Sequence, residues 1–210
     1  MTTARIRTSS GFARRLCVVA LLSSALGLAA FARADDDDVR RHDKAATFYV
    51  GRISSVNAWH DLFTDPLHAE FVDAYVAVAA LSRVVNGIGT QNWSAEVEGQ
   101  VGYNFGDQSH WEFNLAAGPR WHRFPWSDSL QMSAAFLLGL SMASEVPEVE
   151  VALEGDSAKL LIYFAMELTF GPPCADWSLS LRLHHRSPGF GLFADDGGMN
   201  AVALGVRYTF

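Results

Sequence analysis

The sequence predicts an all-β protein, an eight-stranded antiparallel barrel that crosses a membrane. Three observations carry this. After residue 47 the hydrophobicity alternates with a period of two, segment after segment, over stretches of about ten residues, which is a strand signal. In several segments one parity gathers charge (Glu96, Glu98, Glu112, Arg120, Lys159, Glu167, Arg182) and the other is apolar. Aromatic residues collect near segment ends (Trp93, Phe105, Trp111, Trp121, Trp126, Phe170, Trp177, Tyr208), as interfacial girdles do. A soluble sandwich or lipocalin-like barrel would also alternate. Segments of roughly 10–15 residues, however, suit strands that need about 9–11 to cross a bilayer at a tilt.

The chain opens on a different pattern. Arg5, Arg7, Arg14 and Arg15 form a basic region, Leu16 to Phe31 is apolar or small, and Ala32-Arg33-Ala34 has the small-x-small form of a cleavage site. Residues 1–34 therefore read as a signal peptide, too short in its apolar run for a spanning helix. Losing its five arginines takes the net charge from −7 to −12, which excludes nucleic acid as a partner. Residues 35–47 read as an acidic tail, opened by Asp35 to Asp38, without the spacing of a calcium loop. Cys174 remains as the mature chain's single cysteine, so no internal disulfide forms, and no Cys/His spacing suggests a metal site.

Residues 48–210 hold the barrel. Strands are expected at about 48–57, 71–82, 92–105, 109–122, 130–144, 157–170, 176–187 and 199–210. The first two alternate least well, and residues 74–82 could equally form a short helix. The third is clearest: Trp93, Ala95, Val97, Gly99, Val101 and Tyr103 against Ser94, Glu96, Glu98, Gln100, Gly102 and Asn104. The last runs Val202, Leu204, Val206, Tyr208, Phe210. Closure satisfies every strand edge, as lipid demands. Eight strands leave an interior filled by side chains, which argues against a pore.

The seventh segment breaks its own pattern. Trp177, Leu179, Leu181 and Leu183 face outward, and His185 and Ser187 continue that parity. His184 and Arg186 take the inward one. With both termini in the periplasm, strand 7 runs outward and Ser187 lies at its outer end. Residues 188–198 are then an extracellular loop, and Asn200 faces lipid on the next strand. Asp195-Asp196-Gly197-Gly198 reads as a turn, and Glu145, Glu148, Glu150 and Glu154 as a solvated loop.

The ending on Phe210 resembles the C-terminal signal of outer-membrane barrels, which implies a Gram-negative outer membrane and recognition by the barrel assembly machinery. The block His184-His185-Arg186-Ser187-Pro188-Gly189-Phe190-Gly191, with Gly197-Gly198-Met199-Asn200 and Gly205 to Phe210, resembles the C-terminal signature of lipid A 3-O-deacylases, the PagL-like acyloxyacyl hydrolase family. The clear match covers about the last 35 residues. It implies an eight-stranded barrel with a lipid-facing active site that removes the acyl chain ester-linked at position 3 of lipid A. The family's His-x-Ser pair maps onto His185 and Ser187. Two departures stand out. Pro188 replaces an asparagine that follows the serine, and no acid occupies the region of Met199 and Asn200. Asn200 is the nearest orienting group, with Asp195 and Asp196 as reserves, and Gly189 or Gly191 would supply oxyanion donors.

The resemblance implies lipid A or lipopolysaccharide as substrate, outer-membrane lipids as surroundings and no cofactor; a homodimer is compatible with it. The reading from another class is a non-enzymatic small barrel with a structural, adhesive or resistance role.

Overall fold

A computed structural model describes residues 43–55, 59, 60, 62 and 68–210. The expected signal peptide and most of the acidic tail lie outside these residues. Eight strands close into one antiparallel barrel: β1 (Lys44–Ser54), β2 (Phe71–Gly89), β3 (Trp93–Gly106), β4 (His110–Trp121), β5 (Gln131–Ala143), β6 (Leu160–Gly171), β7 (Trp177–Ser187) and β8 (Met199–Thr209). Each pairs with its sequence neighbour, and β1 closes on β8 from Ala45↔Thr209 to Ser54↔Asn200. Among the described residues no helix is long and apolar enough to span a bilayer.

Alternation explains the strands. In β3 the inward Ser94, Glu96, Glu98, Gln100 and Asn104 are buried, whereas Val97, Val101, Tyr103 and Phe105 are exposed. An exposed apolar belt around a charged interior is the inverse of a soluble barrel and marks a transmembrane one. The connections after β1, β3, β5 and β7 lie at one end, with 144–159 and 188–198 the longest fully described ones, and those after β2, β4 and β6 (90–92, 122–130 and 172–176) lie at the other. The longer loops identify the extracellular side.

The lumen is filled in two layers. Toward the periplasm, Arg120, Arg182 and Arg207 interleave with Glu96, Glu98 and Glu167. Arg120 Nε lies 2.9 Å from Glu96, Arg182 grips both oxygens of Glu98 at 2.6 and 3.1 Å, and Arg120 also pairs with Glu167. Above them, the Tyr49 hydroxyl donates to Gln100 and lies 3.0 Å from His184 Nδ1, whose Nε2 meets Glu112 at 2.8 Å. Toward the extracellular mouth an apolar cluster joins the polar lining: Ile53, Ala74, Val76, Met199, Ala201 and Ala203 cluster with Val149 of a short helix, α1 (Glu148–Glu154), while Asn104, Gln108, His110 and Arg186 are buried there too.

Residues 74–82 are strand, within the expected 71–82, and not the alternative short helix; they alternate poorly because Val76 and Val78 are buried inside while Leu81 faces lipid. β2 also runs on to Gly89, and β1 starts at Lys44, within the expected tail. The four glutamates from Glu145 to Glu154 are not one solvated loop, since α1 carries Glu150 into the barrel mouth, fully buried on Arg186. Lys159 lies just before β6, exposed, and donates to the Ser144 carbonyl. Cys174 is a free, exposed thiol in the turn after Pro172 and Pro173, with φ of 62°.

Candidate functional site

His185 and Asn200 are direct cross-strand partners on β7 and β8, next to His184↔Ala201. Residues opposite each other share a face and bring their side chains within reach. The His185 Nδ1 lies 2.7 Å from Asn200 Oδ1. An amide oxygen only accepts, so Nδ1 carries the proton and donates, and Nε2 is left with its lone pair. The inward His184 and Arg186 are fully buried in the lumen. Arg186 binds Glu150.

His185 faces outward by parity, yet it is only 8% exposed. Two aromatic contacts account for this. The Phe164 ring, its partner on β6, lies 4.1 Å away centroid to centroid, and Trp59 from the segment between β1 and β2 packs edge-on against Phe164 at 5.7 Å. No pattern in the sequence marks residues of that segment as reaching the outer wall; a lone Trp59 in a polar loop is the one hint.

Ser187 ends β7 opposite Ile162, two residues beyond His185 on the same face and half-buried. Its Oγ accepts a hydrogen bond from the Gly189 N–H at 3.2 Å. Pro188 has no N–H, but its carbonyl accepts from Leu192 and Phe193, closing a compact turn. Gly189, Phe190 and Gly191 all have positive φ (67°, 58° and 78°). A side chain at Gly189 would also stand 2.6 Å from Ile162 Cδ1. Phe190 is the strained member, and its ring is 90% exposed beside the site.

Of the three expected orienting groups, the structure brings Asn200 to His185. Asp195 and Asp196 are exposed in the loop, where Asp196 accepts from the Gly197 N–H at 3.0 Å. Gly191 lies in the same turn as Gly189. Among the described residues no group of His, Cys, Asp and Glu is placed to hold a metal.

Below the pair an apolar groove of about 900 Å³ runs across the outer wall. Val202, Leu183, Met166 and Phe136 form one cross-strand row of its lining, and Leu181, Leu168, Ala134 and Trp121 the next. Ala134 between Trp121 and Leu168 makes the hollow. Leu62 lies against it from the β1–β2 segment.

No protein-family model and no curated protein matches the chain. Among solved structures, the fold is similar to the crystal structure of the outer membrane enzyme PagL, with a TM-score of 0.56 and 13% identity over 79% of this chain and 99% of that one. Ail, the attachment invasion locus protein of Yersinia pestis, aligns with a TM-score of 0.47 at 13% identity, over 80% and 99% of the two chains. Neisserial surface protein A aligns at 0.46 and 9%, over 80% and 96%. At such identities the likeness is one of fold. With the apolar belt and the sealed charged lumen, it makes this chain a small eight-stranded β-barrel of the outer membrane.

Proposed function

We propose that this protein is a lipid A 3-O-deacylase, hydrolysing the ester-linked 3-hydroxyacyl chain of lipid A in the outer leaflet. The observation that supports it most is the His185–Asn200 hydrogen bond on the lipid-facing wall, with Ser187 two residues on and on the same face. A polar pair on a membrane strand is costly unless it works. Its depth, at the outer end of β7, is that of the lipid A glucosamine esters.

In this mechanism Ser187 Oγ attacks the acyl carbonyl carbon while His185 Nε2 takes the hydroxyl proton. Asn200 holds the tautomer and ring orientation that this needs. His185 then returns the proton to the departing sugar oxygen, leaving an acyl-serine. Water, deprotonated by the same imidazole, releases the fatty acid. The Gly189 N–H, already directed at Ser187 Oγ, and the Gly191 N–H are the oxyanion donors in place of Pro188; such donors contribute about 3–4 kcal/mol. The released chain would lie in the apolar groove beside Leu183 and Met166 without leaving the membrane. No cofactor enters.

The test is expression in a Gram-negative host with intact 3-O-acylated lipid A, followed by mass spectrometry of the lipid A. Loss of one 3-hydroxyacyl chain supports the reading. Unchanged lipid A around correctly inserted protein contradicts it and leaves a non-enzymatic barrel.

A further inference from the structure

We infer that Glu150, on α1 between β5 and β6, is a positioning residue for this site, acting through Arg186 on the strand end that carries His185 and Ser187. The inference rests on the deacylase reading.

The argument begins with alternation. Outward residues are separated by inward ones, so His185 and Ser187 flank Arg186, and Asn200 lies between Met199 and Ala201. The β5–β6 loop holds each of these inward neighbours. Arg186 Nη1 donates to Glu150 Oε1 at 2.6 Å, and its Nη2 to the carbonyls of Ala158 and Lys159 at 3.2 and 3.1 Å. The Ser157 hydroxyl donates to the other Glu150 oxygen at 2.5 Å. On the facing strand, Val149 packs in one cluster with Met199 and Ala201. One turn of helix thus grips β7 by a charge and β8 by an apolar contact, on the reverse side of the three outward residues.

This placement matters because strand ends open easily and Ser187 is the last residue of β7. Glu150 and Arg186 are both fully buried, so neither charge has water as a substitute for the other. With the pair broken, Arg186 keeps only its bonds to the Ala158 and Lys159 carbonyls at this loop, while the lower barrel remains held by its own ion pairs. A shift of about 1 Å in a reacting group costs on the order of 100-fold in rate.

The experiment uses full-length protein, refolded in detergent and assayed on lipopolysaccharide. Folding is scored by the heat-dependent gel mobility of the closed barrel. Labelling of Ser187 by a fluorophosphonate gives a second readout. Glu150→Gln keeps shape and removes charge. We expect folded protein with kcat and labelling rate lowered about tenfold or more and KM within twofold. The double variant Glu150→Gln/Arg186→Met should be no slower than Arg186→Met alone, since the two residues act as one unit. Should Glu150→Gln not fold, Ser157→Ala carries the same test, with an expected loss of about threefold. A folded Glu150→Gln or Ser157→Ala with wild-type kcat and labelling overturns the inference while leaving the deacylase standing. A KM effect alone, or multiplicative losses in the double variant, also overturns it. A folded wild type that neither deacylates nor labels sinks the functional reading itself, and the inference with it.

Discussion

The Nδ1 of His185 lies 2.7 Å from the Oδ1 of Asn200, and the two residues face each other across β7 and β8. The register of the barrel therefore places the imidazole and its orienting amide together, and a slip of either strand by one residue would turn its member of the pair into the lumen. The neutral amide fixes a tautomer but offers no charge to an imidazolium. Asn200→Ala should lower kcat by about 10- to 100-fold with little change in KM, the pattern of a lost transition-state contact. Asn200→Asp keeps the acceptor and should retain most activity. Steady-state release of 3-hydroxy fatty acid checks both.

Gly189 couples the turn to the nucleophile through the hydrogen bond from its N–H to Ser187 Oγ. Its φ of 67° strains any alanine there, and the Ile162 Cδ1, 2.6 Å from such a Cβ, would have to shift. Gly189→Ala should displace the turn at a cost of about 1–2 kcal/mol for the left-handed backbone. Activity should fall at least tenfold in a barrel of normal gel mobility.

The periplasmic half of the lumen depends on Arg182, which bonds Glu98 twice and reaches Glu167 at 3.0 Å. Arg182→Met leaves two buried carboxylates short of their partner. A loss of about 3–5 kcal/mol is expected, read as a lower urea midpoint of unfolding in detergent.

Glu150 should also leave a signature in the pH dependence of stability. Burial pushes its carboxyl above the usual value of 4.5, the Arg186 guanidinium on β7 and the Ser157 hydroxyl pull the other way, and Glu112 on β4 adds to the rise. The folded state thus holds this proton at a pH where the unfolded chain has lost it. Its contribution is fully present below 4.5 and is lost as pH rises through the higher folded value. Wild type should therefore lose stability relative to Glu150→Gln as pH rises from below 4.5 through the raised folded value. Parallel unfolding midpoints in the two proteins would show that Glu150 contributes nothing.

The sequence was legible where the two faces of a strand differ and opaque where they agree. β3 and β7 separate charge from hydrocarbon residue by residue, so their faces, and the outward parity of His185 and Ser187, could be read directly. β2 could not, because Val76 and Val78 pack inside the barrel as apolar residues while Leu81 meets lipid. The expected register of Asn200 needed the β7–β8 hairpin, whose loop length alone does not fix it. Glu150 reads as a loop acid because its partner Arg186 lies 36 residues away, and no local pattern announces such a pair. The cover over His185 is likewise non-local: Trp59 and Phe164 meet only once the barrel has closed.

The most direct measurement compares lipid A from cells expressing wild type, Ser187→Ala and His185→Ala at equal levels of inserted barrel. The account predicts loss of one 3-hydroxyacyl chain with wild type and intact lipid A with either variant. Intact lipid A in all three, or the same mass loss with Ser187→Ala, would contradict it.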